Sequence, residues 1–134
     1  MKAVDPQRSG FTLLEVLVAS VILAVAILGM ISAILYIHRL NQSARENELA
    51  VQGGQQMVEE VIACPLDQVE TSYGGYTFDV SGLSPRSDDP DGKVGSIEVD
   101  GSDLALVQVT VQIEWTGIYG DRSLRFDTTM TKRE

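Results

Sequence analysis

The stretch GFTLLEVLVASVILAVAILGMISAILYI, Gly10 to Ile37, decides how this chain folds. From Val16 to Ile37 it runs for 22 residues without a charged side chain. At about 1.5 Å per helical residue that is about 33 Å, close to the ~30 Å hydrocarbon thickness of a bilayer. A transmembrane helix is the direct reading. One carboxylate, Glu15, stands at the edge of this run, and a Gly–Phe junction, Gly10-Phe11, lies just before it. Upstream, Lys2 and Arg8 stand against Asp5, a basic bias that favours a cytoplasmic N-terminus. Arg39 and Arg45 beyond the other end weaken that bias. A secretory signal peptide is the rival, with Ala24-Val25-Ala26 resembling a cleavage site. Cleavage there would leave a new end beginning ILGMISAILYI, more apolar than a secreted protein usually tolerates. Ala19, Ala26, Gly29 and Ala33 fall near one stripe, which either allows close helix packing or reflects the ordinary composition of such segments.

The 134 residues carry a net charge of −9, and the acidic groups lie almost entirely after residue 45. An acidic domain without aromatic–basic interleaving argues against nucleic acid as a partner. The single cysteine, Cys64, cannot form an internal disulfide, and the only histidine, His38, leaves little room for a catalytic or metal-binding cluster. No phosphate loop or dinucleotide fingerprint is present. No enzyme activity, cofactor or metal is expected.

Beyond the apolar run, Leu40, Ala44, Val51, Met57, Val58, Val61 and Ile62 recur at spacings near three and four, so the helix continues as an amphipathic segment. Gly53-Gly54 should loosen or bend it, and Pro65 should end it. The expected helix runs from about Phe11 to about Ala63. The pattern then changes to strands. Tyr76–Val80 is a short candidate, Leu83–Gly95 a surface loop, and Ser96–Val99 a weak strand before the Asp100-Gly101 turn signal. In LVQVTVQIEW, residues 106–115, Val107, Val109, Val111, Ile113 and Trp115 alternate with polar residues, which marks a strand with one face on a core. TGIYGD connects it to LRFDTTM, with Leu124, Phe126 and Met130 inward. The expected fold class is α+β: a long N-terminal helix, transmembrane in its first half, packed on a small antiparallel sheet. The sheet alone is too small to be stable, and the helix supplies its missing face.

The residues SGFTLLEVLVASVILAVAILG resemble the class III signal of type IV pilins and pseudopilins, subunits of bacterial type IV pili, type II secretion pseudopili and related filaments. Gly10, Phe11, Thr12, Leu13, Leu14 and Glu15 match the pattern without a gap: leader glycine, Phe, apolar or hydroxyl residues, glutamate. The resemblance is close over about the first 40 residues and architectural beyond. It implies a leader at 1–10, a transmembrane or filament-core helix at 11–38, an amphipathic continuation at 39–64 and an extracytoplasmic sheet domain at 65–134. It implies cleavage between Gly10 and Phe11 by a prepilin peptidase and N-methylation of Phe11. It also implies partners: other pilin or pseudopilin subunits, an inner-membrane assembly platform and membrane lipid. The protein would then be a single-pass protein of the inner (cytoplasmic) membrane that passes into a pilus or pseudopilus.

That resemblance gives Glu15 a physical use. A carboxylate in an apolar core is expensive unless paired. The amine that cleavage creates on Phe11 could meet Glu15 of a neighbouring subunit, neutralising both and fixing register. The alternative is a first-turn acidic residue favoured by the helix dipole. Gly10 would let an extended backbone enter the peptidase; the plainer reading is a loop glycine.

Ser32 stands where many major pilins carry a kinking proline, and Cys64 alone rules out their C-terminal disulfide. The C-terminal hairpin and Tyr/Gly-rich loop look more like a minor pilin, of the type IV pilus modification branch, or a minor pseudopilin of type II secretion. Such subunits help to initiate or cap assembly. The alternative function is a single-span, membrane-anchored extracytoplasmic binding domain that never assembles. Asp88–Gly92, DDPDG, reads as a solvated turn or a calcium loop lacking its distal glutamate. Cys64 reads as a semi-buried thiol or a reactive one, Trp115 as core or interface anchor, and His38 as a membrane-interface residue or a pH sensor.

Overall fold

A computed structural model describes residues 12–102 and 106–131. The chain divides into two units, Met1–His38 and Arg39–Glu134. Helix α1, Leu13–Ala63, is 51 residues long and contributes to both. The described part of the first unit is helical from Leu13 onward. In the second, α1 is followed by α2 (Leu66–Tyr73), β1 (Thr77–Phe78), β2 (Gly95–Asp100), β3 (Leu106–Gly117) and β4 (Gly120–Thr131). The four strands form one antiparallel sheet in the order β1-β2-β3-β4. This is the α+β arrangement of a long N-terminal helix packed on a small antiparallel sheet.

The β3–β4 ladder pairs every residue from Leu106–Thr131 to Gly117–Gly120 without a bulge. All five inward residues of β3 read from the alternation, Val107, Val109, Val111, Ile113 and Trp115, are 3% exposed or less. On β4, Leu124, Phe126 and Met130 pack against this core but stay partly exposed. The connection is tighter than the expected TGIYGD loop. Only Ile118 and Tyr119 form the turn, and Gly120 takes the left-handed step (φ +103) that a β-branched or aromatic residue resists. The outer face of β3 is not uniformly wet either. Thr110 is 7% exposed because Arg125 and Asp127 of β4 fold over it.

Three expectations change in the second unit. The segment after Pro65 is not all strand, because α2 intervenes. Pro65, read as a terminator, also sits at the N-cap of α2 with φ −58, and Val69 carries the short helix into the core. The Tyr73 hydroxyl donates to Glu60 Oε1 at 3.3 Å, tying α2 back to α1, and desolvation followed by the Glu60 charge pushes the phenol above its ordinary range. The Tyr76–Val80 strand shrinks to the two paired residues of β1.

The buried line of α1 is the third change. Val61 is buried and Met57 and Val58 are partly so, but Leu40, Val51 and Ile62 are 36–50% exposed. The buried residues of α1 are Ser43, Ala50, Gly54 and Val61. Small side chains win there because the helix lies close to the large residues of the sheet. A Cβ on Gly54 would clash with the Phe126 ring, and one on Gly53 would fall 2.7 Å from Val80 Cγ2. The helix runs through both glycines without interruption. Gly54 serves close approach to the sheet and Gly53 close approach to Val80 in the loop after β1, not the loosening expected from propensity.

Gly54→Val should therefore destabilise the Arg39–Glu134 unit by about 1–3 kcal/mol through overpacking against Phe126. Urea unfolding of the full chain in detergent, followed by Trp115 fluorescence, reads this directly. Gly29→Ala, whose Cβ would meet nothing within 4 Å, should leave that transition where it is.

Candidate functional site

The candidate site is the start of α1. Thr12 precedes the first helical residue and caps it: Thr12 Oγ1 accepts from the Glu15 amide at 3.3 Å, and Thr12 O accepts from Glu15 N at 3.0 Å and Val16 N at 3.2 Å. A threonine with a glutamate three residues on is a capping-box spacing. That signal stands in the sequence as Thr12 and Glu15, directly after the Gly10-Phe11 junction. Glu15 thus occupies the first turn, where the helix dipole favours an anion. Its side chain is exposed, and among the described residues its carboxylate accepts no hydrogen bond. Gly10 and Phe11, the expected cleavage and methylation positions, lie outside the described residues.

The helix beyond Glu15 presents apolar side chains in every direction. Its most apolar stretch is long enough to cross a membrane, and none of that stretch is buried among the described residues. Leu13 through Ile37 thus carry a large apolar surface that the chain itself leaves uncovered. The two serines in this span are satisfied locally. Ser20 Oγ donates to Leu17 O at 2.7 Å and Ser32 Oγ to Leu28 O at 3.0 Å, so neither hydroxyl demands water. Ser32, where a proline was the comparison, leaves the helix continuous. Gly29 of the small-residue stripe has open space where a Cβ would be, and His38 is exposed on α1.

The remaining candidates resolve as packing or surface chemistry. Trp115 is 2% exposed and belongs to the core. Its Nε1 and Glu46 Oε2 are buried without a partner among the described residues, and both border Gly117. Cys64 is a free, half-buried thiol just past the end of α1. In the 88–92 loop, Asp88 pairs with Arg86 at 2.7 Å, and Asp89 Oδ1 accepts from the Asp91 amide at 3.0 Å, which closes a turn. Among the described residues no group of three or more His, Cys, Asp or Glu is placed to hold a metal ion.

The charged groups of the second unit form small surface networks. Arg86 also reaches Glu114 at 3.4 Å and Asp121 at 3.8 Å, and Lys93 pairs with Asp79 at 2.5 Å. Arg125 and Thr110 both bond Asp127. The Arg86 hydrogen bond holds Asp88 below the usual carboxylate value of 3.8, and the Thr110 hydroxyl, then Arg125, does the same for Asp127.

Residues 5–31 match the prokaryotic N-terminal methylation motif, a type IV pilin-like prepilin signal. Searches of curated proteins and of solved structures gave no match. The matched span covers Gly10, Phe11, the Thr12 cap, Glu15 and most of the uncovered apolar helix. The motif supports a type IV pilin-like or pseudopilin precursor, processed by a prepilin peptidase and associating with other pilin subunits. It points to a structural subunit rather than an enzyme. Motif and apolar helix together fit single-pass anchoring in the inner membrane with a C-terminal domain attached, followed by passage into the pilus.

A depressed aspartate stabilises the fold above its unfolded value, and that contribution disappears as pH falls through the folded value. With Asp88 and Asp127 both depressed from 3.8, stability of the second unit should be level from about pH 7 to about pH 5 and fall below about pH 3.8. Urea midpoints measured by Trp115 fluorescence across this range check it, and Asp127→Asn should flatten part of the acid limb.

Proposed function

We propose that this protein is a minor pilin or minor pseudopilin, made with a ten-residue leader and matured by cleavage between Gly10 and Phe11. The domain plan follows: leader at 1–10, filament-core helix at 11–38, amphipathic continuation at 39–64 and a sheet domain at 65–134 placed outside the cytoplasm. The observation that carries the reading is a coincidence of three features. The methylation motif ends inside a helix whose apolar face has no cover within the chain, and the motif's glutamate sits in the first capped turn. Lateral transfer from bilayer to filament asks for such a helix, since it must be apolar in either medium.

Cleavage turns the Phe11 nitrogen into a cation. In the filament, that amine meets Glu15 of an adjacent subunit, so neither charge is buried alone, and the pair sets the axial register. The assignment to a minor subunit rests on Ser32 in place of a kinking proline, on the lone Cys64, and on the short domain closed by the β3–β4 hairpin. Such a subunit helps to initiate or cap a filament on the inner-membrane assembly platform.

Intact mass of the protein isolated from its own host should correspond to a chain beginning at Phe11 and carrying one added methyl group. A chain that retains Met1–Gly10 would identify instead a membrane-anchored domain that does not assemble. Gly10→Val should accumulate as the uncut precursor on gels. Glu15→Leu should insert and be cut normally yet fall at least tenfold in the sheared filament fraction; wild-type incorporation of that variant would show that pairing is not needed.

A further inference from the structure

The two edges of the sheet are unequal in length but complementary. β4 offers 12 residues without a bulge or proline, and only its β3 side is paired among the described residues. An unprotected edge of this kind is a template for a further strand. The burial pattern says the same. Every inward side chain of β3 is 3% exposed or less, whereas those of β4 from Arg122 to Met130 all remain half-exposed. Between β4 and α1 lie two clefts in line, one at Asn47 and Val51 beside Leu124, the other at Gln55 and Val58 beside Phe126.

We infer that this edge is completed by the Tyr76–Val80 run of a second copy, pairing antiparallel with Leu124–Thr128. The topology selects that strand. Each strand runs opposite to its neighbour, so β1 and β4 of the same sheet are antiparallel. A second copy moved sideways, without being turned over, therefore brings its β1 antiparallel to β4 and keeps its α1 on the same face, pointing the same way. Symmetric β4–β4 pairing would run the two α1 segments in opposite directions, because Asn47–Glu59 follows Arg122–Thr128 in the same sense. Two chains anchored alike in one membrane cannot do this, and here the inference rests on the proposed function. Four strands at about 4.8 Å separate successive α1 segments by about 19 Å, ample for helices about 10–12 Å wide.

Side-chain chemistry sets the register. With Asp79 of the copy opposite Arg125, unlike charges meet on the outer face. On the helix side the same register sets Val80 beside Leu124, while Phe78 stays in the core of its own chain. A shift of one residue would turn every one of these side chains to the wrong face. The contact is heterologous, so it propagates from copy to copy and does not stop at a dimer.

Cysteine cross-linking of the full chain in the membranes of its host tests this, in a Cys64→Ser background. Directly opposed residues on antiparallel strands lie about 4.5–5.5 Å apart at Cα, within disulfide reach. Under mild oxidation, chains carrying both Asp79→Cys and Arg125→Cys should give a ladder of dimers, trimers and higher species. A mixture of the two single variants should stop at dimers, and each single variant alone should stay monomeric. A second pair on the same register, Thr77→Cys with Asp127→Cys, should repeat the pattern, which separates the interface from any folding defect of the first pair. Dimers from Arg125→Cys alone would mean symmetric β4 pairing and overturn the inference. Double variants of both pairs that stay monomeric, or that cross-link only to a protein of another mass, would do the same. Chains cut after Gly10 that give no ladder end this inference and leave the processing proposal intact. Uncut chains that do give one separate the two the other way.

Discussion

The close approach of α1 to the sheet at Gly54 is the constraint on which the second unit depends. Phe126 occupies the space a β-carbon would need, and Ala50 and Ser43 continue the same shallow line along the helix. A four-stranded meander has one face to bury and no second sheet to bury it against. The helix covers β3 completely only because small residues let it lie close. The inward residues of β3 are accordingly 3% exposed or less, whereas those of β4 and the large residues on the flanks of α1 stay partly exposed.

One helix thus works in two media. Up to His38 its apolar side chains face outward all round, and the two serines turn their hydroxyls back onto helix carbonyls. From Arg39 onward it carries a narrow dry line and a polar remainder. The change is one of side-chain pattern and not of backbone, because the helix is unbroken from Leu13 to Ala63. The matched methylation motif, residues 5–31, takes in the apolar part of α1 as far as Ile31.

Much of this was legible in the residues. The uncharged run from Val16 to Ile37 and the strict alternation from Val107 to Trp115 both express a single period, and a single period survives into structure. The Gly10, Phe11 and Glu15 spacing pointed to the methylation motif before any geometry was available. What escaped had weak or double-valued signals. Helix α2 has few apolar residues, chiefly Leu66 and Val69, and Pro65 is equally at home ending one helix or starting the next. The paired part of β1 is only two residues long, too short for any period. The capping role of Thr12 is signalled only by Glu15 three residues on, inside a stretch whose apolar pattern is the stronger signal.

The sequence by itself determined the class of each segment: an apolar span, an amphipathic continuation and an alternating strand. Hydrophobic period is a local property of the chain. Only the tertiary structure decided which residues of α1 form the seam. Leu40, Val51 and Ile62 look like core and lie on the flanks, whereas Gly54 looks like a helix weakness and lies at the centre. The reason is steric: once a helix meets a sheet at close range, the space left by its neighbours outranks the hydrophobicity of any one side chain.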